Sequence, residues 1–281
     1  MITMSDFLDS LISPATKKSY SYGIKTFEEW YKKPIKSLLK EPQPGKVIEK
    51  FFVYCRQHFS PNTARNKTNA VIQYCKYFGV EPKIKKSLHV YKTITSTRDH
   101  LLSLDEGRDM FKIGSLEEKV MIKVWLLGLR IKDASLLEWK DFRFTQGKDL
   151  QEVIIMTQKE LIPAHLFVDQ EFQELLKKYL PIIDESNKYL LQSQKGGNIS
   201  TKQLLKNLQA LQRKAQIKTS KSFNWKIGRK LFLRTGTELG CNSWALKMMT
   251  GKAVDASIST YITGVLLEKE AAKISKVLQM E

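Results

Sequence analysis

Cysteine is scarce in this chain, with Cys55, Cys75 and Cys241 the three among 281 residues. An odd, widely spaced set without a CxxC pair offers no disulfide pattern and fits a reduced, cytoplasmic compartment. Histidine is nearly as rare. His58, His89, His100 and His165 are scattered and form no HExxH helix motif, so neither a zinc site nor another metal or cofactor is expected. No apolar run approaches the roughly 20 residues a spanning helix needs. The N-terminus lacks a basic segment followed by an apolar core, so secretion is not expected either. Long repeats and low-complexity tracts are also missing. Acid is in deficit: 29 Asp and Glu against 47 Lys and Arg leave a formal charge of +18 and a sequence pI of about 9.6. A surplus of that size creates a positive field that attracts polyanions, and nucleic acid is the leading partner.

What is present is a chain long enough for one large or two modest domains, with 42% hydrophobic residues to fill their cores. Its first third reads as helical. Ser13-Pro14-Ala15-Thr16 and Ser60-Pro61-Asn62-Thr63 each set an N-cap hydroxyl before a proline at N1, where a missing amide hydrogen costs nothing. Tyr20, Ile24, Phe27 and Tyr31 recur at helical spacing after the first start, and Val71, Tyr74 and Phe78 after the second, so each helix should bury one face. Gly79 is placed to end the second helix in a left-handed cap. Between them, the breaker Lys40-Glu41-Pro42-Gln43-Pro44-Gly45 leads into a further helix through Phe51, Phe52 and Tyr54.

The polar passage from Lys83 to Arg98 reads as a linker, dividing residues 1–95 from 96–281. Downstream, Leu104-Asp105-Glu106 opens a new helix, and Ser115-Leu116-Glu117-Glu118 matches a capping box ahead of an apolar helix. Residues Gln151 to Thr157 and Leu161 to Val168, with Lys159 in the turn between them, predict a small hairpin. Helices are expected again from Gln170 to Leu180 and Ser200 to Ala215, separated by the loop Lys195-Gly196-Gly197-Asn198, and through most of the remainder. Trp225, Trp244 and the Met248-Met249 pair are assigned to the core. The fold class is therefore mainly α, with a small antiparallel sheet in the second domain.

Basic residues recur at suggestive places. Lys17, Lys18, Arg65 and Lys67 lie in the first turns of the two Ser-Pro helices, against the sense of the helix dipole. A phosphate held by helix amides and side chains together would justify that placement. Toward the C-terminus, Lys226-Ile227-Gly228-Arg229 and Gly251-Lys252 are followed, nine residues after Lys252, by Tyr261. Upstream, Gly128-Leu129-Arg130-Ile131 carries Asp133 three residues after its arginine.

In this order and spacing the chain resembles the tyrosine recombinase, or phage integrase, family over nearly its whole length. The resemblance implies an N-terminal helical, SAM-like core-binding domain that clamps DNA and a C-terminal catalytic domain of mixed α+β structure. It implies that Arg130 binds the scissile phosphate, that Asp133 braces the site, that Lys159 is the hairpin lysine with Pro163 in the strand beyond it, and that Tyr261 is the nucleophile. The second box has the form His-x-x-Arg in the family and Lys226-Ile227-Gly228-Arg229 here, with Phe232 and Gly240 at the usual offsets. Gly251-Lys252 stands where the family has Gly-His. A Lys-x-x-Arg second box is similar to that of integrases from archaeal viruses and plasmids.

The residue types suit the chemistry so implied. A guanidinium grips two oxygens in a fixed plane, which fits Arg130 and Arg229 to the non-bridging phosphate oxygens. A phenol of ordinary pKa about 10 is shifted toward phenolate by surrounding cations, so Tyr261 is expected to attack and leave a 3′-phosphotyrosine and a free 5′-hydroxyl. Lys159 is the expected acid for the 5′-oxygen, and Lys226 and Lys252 are expected to donate to phosphate oxygens. The resemblance also implies double-stranded DNA as partner and four protomers on two DNA sites. After Tyr261, Val265, Leu266, Ala272 and Val277 mark an amphipathic helix, packed either on its own chain or on a neighbour. A topoisomerase IB-like nicking and resealing enzyme, or a non-catalytic DNA-binding regulatory or architectural protein, are the alternatives.

Overall fold

The computed structural model describes residues 4–84, 100–142, 148–219, 221, 223–254 and 264–280. Contacts divide the chain into two compact units, Met1–Ser96 and Thr97–Glu281. Most of the expected linker, and Tyr261 itself, lie outside the described residues.

The first unit is helical: α1 (Met4–Asp9), α2 (Pro14–Tyr31), a 3₁₀ turn (Ile35–Lys40), α3 (Pro44–His58) and α4 (Pro61–Tyr77). Both Ser-Pro starts form as the sequence predicts. The Ser13 hydroxyl accepts from the Thr16 amide and the Ser60 hydroxyl from the Thr63 amide, each at 3.4 Å, while proline fills the first helical position. Gly79 follows α4 at φ 77°. Ile24 and Phe27 of α2 meet Phe51 of α3 and Val71 and Tyr74 of α4 in one core, and Phe51 stands edge-on to Phe27 with ring centroids 5.1 Å apart. Tyr20, Tyr31 and Phe78 pack at its margin.

The second unit holds helices α5 (Leu104–Ile113), α6 (Leu116–Leu126), the single turn α7 (Ile131–Ala134), an antiparallel hairpin β1 (Leu150–Met156) and β2 (Pro163–Asp169), then α8 (Gln170–Tyr179), α9 (Thr201–Lys214), α10 (Lys226–Glu238), α11 (Ser243–Met249) and α12 (Gly264–Val277). Reciprocal capping boxes start α5 at Ser103 and α6 at Ser115. Helix α6 is buried almost all round, from Val120 to Leu126, and forms the axis of the unit. No described helix is long and apolar enough to cross a membrane.

The last helix packs on its own chain, with Leu266, Ala272 and Val277 half-buried at the edge of the contact face. Val265 is 78% exposed, and Leu267, Glu270, Ala271 and Ile274 are the buried positions. Beside them lies a polar anchor around Lys123, which is 4% exposed and bonded to the carboxylates of Asp169 and Glu171. The Ser275 hydroxyl donates to Asp169 at 3.0 Å and the Met280 amide to Glu171 at 3.1 Å, so the tail completes the hydrogen bonding of two half-buried carboxylates. Removing the cation leaves both without their partner. Lys123→Ala should therefore cost about 3–5 kcal/mol in urea denaturation, whereas Lys195→Ala on the exposed loop stays within about 0.5 kcal/mol; equal effects would contradict this role.

Candidate active site

Two tryptophans hold the two basic turns together. Trp125, at the end of α6, donates its indole N–H to the Trp225 carbonyl at 2.7 Å, and Trp225 donates to the Leu129 carbonyl at 3.1 Å. Leu129 directly precedes Arg130, and Trp225 directly precedes the Lys226–Arg229 turn of α10. The two basic segments, about a hundred residues apart in sequence, are thus tied by two buried hydrogen bonds.

The arginines are then aimed by main-chain carbonyls. Arg229 Nη1 donates to Gly128 O at 3.0 Å and Thr250 O at 2.7 Å, and Arg130 Nη1 donates to Gly251 O at 2.9 Å. Each guanidinium has five donor hydrogens, so these contacts orient it while leaving others to spend. Arg229 Nη2 is buried with no partner among the described residues. Burial first, then the neighbouring Arg130 charge, push the Arg229 pKa down to about 10, with Asp133 and Glu160 pulling the other way. It remains a cation at neutral pH.

Lys252 is exposed and follows the Gly251 turn. Partial desolvation, then Arg229 and Arg130, hold its ammonium below the ordinary lysine range, against the opposing pull of Glu160. Asp133 is 4% exposed. Its Oδ1 accepts from the Gln158 amide at 2.8 Å and its Oδ2 lies 3.9 Å from Arg130 Nη1, so it fixes the start of the β1–β2 turn beside the arginine. That turn carries Lys159, whose side chain is exposed, and Pro163 opens β2. Lys226 is exposed at the first position of α10, one helical turn before Arg229. The structure therefore brings Arg130, Arg229, Lys252 and Asp133 together and leaves Lys159 and Lys226 at the rim.

One residue escaped the sequence reading. Glu160 pairs with Arg130 Nη2, and its second oxygen accepts from the Ala253 amide at 3.1 Å. An acid directly after a lysine assigned to an anion site was the available signal.

The N-terminal basic residues separate. Lys18 and Arg65 are exposed, and Lys17 pairs with Asp9. Lys67 corrects the expectation of a phosphate contact: it is 3% exposed, bonded to Thr26 Oγ1 at 2.7 Å, with its ammonium 3.8 Å from the Tyr22 ring centre and 4.6 Å from that of Phe59. The cause is helical period. Ala64, Lys67, Thr68, Val71 and Cys75 form the face of α4 that packs inward.

Gly251 is the turn on which the cradle depends. It has φ 59°, and a Cβ there would lie 2.3 Å from Thr157 Cγ2 and 3.1 Å from Ala164 Cβ in the hairpin. Gly251→Ala should cost roughly 2–4 kcal/mol through left-handed strain and overpacking. Thermal unfolding checks this, and an unchanged midpoint would contradict it.

No family profile and no curated protein matches this chain. Solved structures do. Lambda integrase (residues 75–356), as a dimer bound to a COC′ core site, is similar over 91% of this chain and 97% of its own, with a TM-score of 0.62 and 13% identity. The XerH site-specific recombinase, in a post-cleavage complex with a palindromic difH substrate, is similar over 93% and 80%, with a TM-score of 0.66 and 16% identity. A lambda integrase tetramer bound to a Holliday junction is similar over 91% and 79%, with a TM-score of 0.61 and 12% identity. At these identities the likeness is one of architecture, and the chain has the tyrosine recombinase fold.

Proposed function

We propose that this chain is a site-specific DNA recombinase or integrase that cuts and rejoins strands through a covalent 3′-phosphotyrosine. The observation that carries this reading is the convergence of Arg130 and Arg229 on the carbonyls of residues 128, 250 and 251. Lys252 follows in the same loop, nine residues before Tyr261. The neighbours bound to core-site DNA, difH and a Holliday junction support it.

In the proposed reaction the two guanidinium groups hold the non-bridging oxygens of the scissile phosphate, where charge accumulates as the attacking oxygen approaches. Tyr261 Oη bonds to phosphorus and the bond to the 5′-oxygen breaks. Lys159 protonates that oxygen. Lys226 and Lys252 donate to phosphate oxygens, and the tyrosine proton passes to whichever of these lysines is neutral. The ester energy is conserved in the phosphotyrosine, so a 5′-hydroxyl from another strand reverses the step without ATP.

Residues 1–95 are proposed to clamp double-stranded DNA, with Lys18, Arg65 and Lys17 facing the backbone, and residues 96–281 to carry the chemistry. Four protomers on two sites, in a prokaryotic cytoplasm at the nucleoid, complete the proposal, with a second box similar to the Lys-x-x-Arg of archaeal virus and plasmid integrases.

A duplex nicked close to the cleavage point traps an active enzyme as a covalent adduct. Wild type should be trapped, Tyr261→Phe should bind without trapping, and Arg130→Ala or Arg229→Ala should slow trapping by about 10²–10³-fold. Binding by wild type with no adduct on any nicked target would favour the regulatory alternative. In gel shifts, neutralising Lys18 or Arg65 should lower the salt dependence of affinity by about one phosphate contact each. Lys67→Met should leave it unchanged, and a matching drop would return Lys67 to the interface.

A further inference from the structure

Glu160 occupies the position at which an anion would be bound. One carboxylate oxygen reaches Arg130 Nη2 and the other takes the Ala253 amide, a guanidinium and a main-chain N–H of the kind that hold a phosphate's non-bridging oxygens. The buried Arg229 Nη2 lies in the same cluster without a partner among the described residues. Two guanidinium groups and Lys252 crowd one another here, and in the absence of phosphate Glu160 is, with buried Asp133, a negative charge that offsets them.

The turn that bears Glu160 is bonded at its base and open at its tip. The Thr157 amide and hydroxyl both donate to the Ile162 carbonyl, and the Gln158 amide donates to Asp133. The Leu161 amide closes the turn onto the Thr157 carbonyl at 3.1 Å, leaving Lys159 and Glu160 at its tip, and Leu161 sits at φ 52°, a left-handed conformation that costs an L-residue free energy. Lys159 and Glu160 are adjacent, and the acid points into the cradle while the lysine is exposed.

We propose that Glu160 is an internal stand-in for the scissile phosphate: its carboxylate fills the arginine cradle in the free protein, is displaced when phosphate enters, and in leaving lets the 159–161 segment turn Lys159 inward. This rests on the recombinase reading for the role of Lys159, but the competition between carboxylate and phosphate stands on the cradle alone. A carboxylate and a phosphate cannot share the same donors without strong like-charge repulsion, so removing the charge favours the phosphate. A brace that merely held Arg130 would behave in the opposite sense, because its removal would weaken the site.

The test uses the full chain with Glu160→Gln, which keeps the shape, and Glu160→Ala, which removes it. Titration calorimetry with inorganic phosphate at fixed ionic strength should show about tenfold tighter binding in both variants than in wild type, and Arg229→Ala added to Glu160→Gln should abolish the gain. On the nicked duplex, Glu160→Gln should trap at least as fast as wild type. Unchanged or weaker phosphate binding in both variants overturns the proposal, even if adducts form normally. Tighter phosphate binding with no adduct from any variant supports the stand-in role and defeats the recombinase reading instead.

Discussion

Three main-chain carbonyls, those of Gly128, Thr250 and Gly251, hold two arginine side chains in place, and the rest of the site depends on that arrangement. Like-charged guanidinium groups repel, so side-chain preference alone would not bring them together. Each carbonyl is supplied by a turn whose own position is fixed elsewhere: residue 128 by the end of α6 and the indole bonds of Trp125 and Trp225, residues 250 and 251 by α11 and the fit of Gly251 against the hairpin. The arginine positions are consequences of packing that lies beneath them. This explains why a site made of mobile side chains can be preorganised for an anion.

Preorganised positive charge is costly in an empty site, and the chain offsets it from within. Asp133 is buried beside Arg130 and also anchors the hairpin turn, while Glu160 folds into the cradle itself. The two acids differ in reach. Asp133 is held on the single turn α7 and bonded to the backbone, whereas Glu160 rides on the projecting part of the hairpin. One serves as a fixed counter-charge and the other as an exchangeable one. A similar use of buried charge appears at the C-terminal helix, where Lys123 joins Asp169 and Glu171 and the tail supplies their remaining donors.

Much of this architecture is legible in the sequence because it is written in local rules. The Ser-Pro starts of α2 and α4, the capping box at Ser115, the hairpin around Lys159 and the buried Trp225 follow from caps, proline and periodicity acting over a few residues. The readings that fail are those in which a side chain's direction is decided by a partner far along the chain. Lys67 was assigned to phosphate by its charge, yet α2 and Phe59 enclose it. Val265 of α12 belongs to its apolar pattern yet is exposed, while the tail bonds to Asp169 and Glu171 around Lys123. Glu160 went unnoticed because its partner, Arg130, lies thirty residues away. Within the candidate site, Arg130, Arg229, Lys252 and Asp133 are picked out by the resemblance of their boxes to the tyrosine recombinase pattern, and these boxes fall on turns that the packing brings together.

The proposed chemistry requires these arginines and Tyr261 to address a single phosphorus atom. A crystal structure of the chain with duplex DNA and orthovanadate, which takes a five-coordinate form resembling the transferring phosphorus, tests it most directly. The expected result is vanadium with its equatorial oxygens hydrogen-bonded to Arg130 and Arg229 and Tyr261 Oη in an apical position. Vanadate bound away from the two guanidinium groups, or bound by them with another side chain in the apical position, would contradict it.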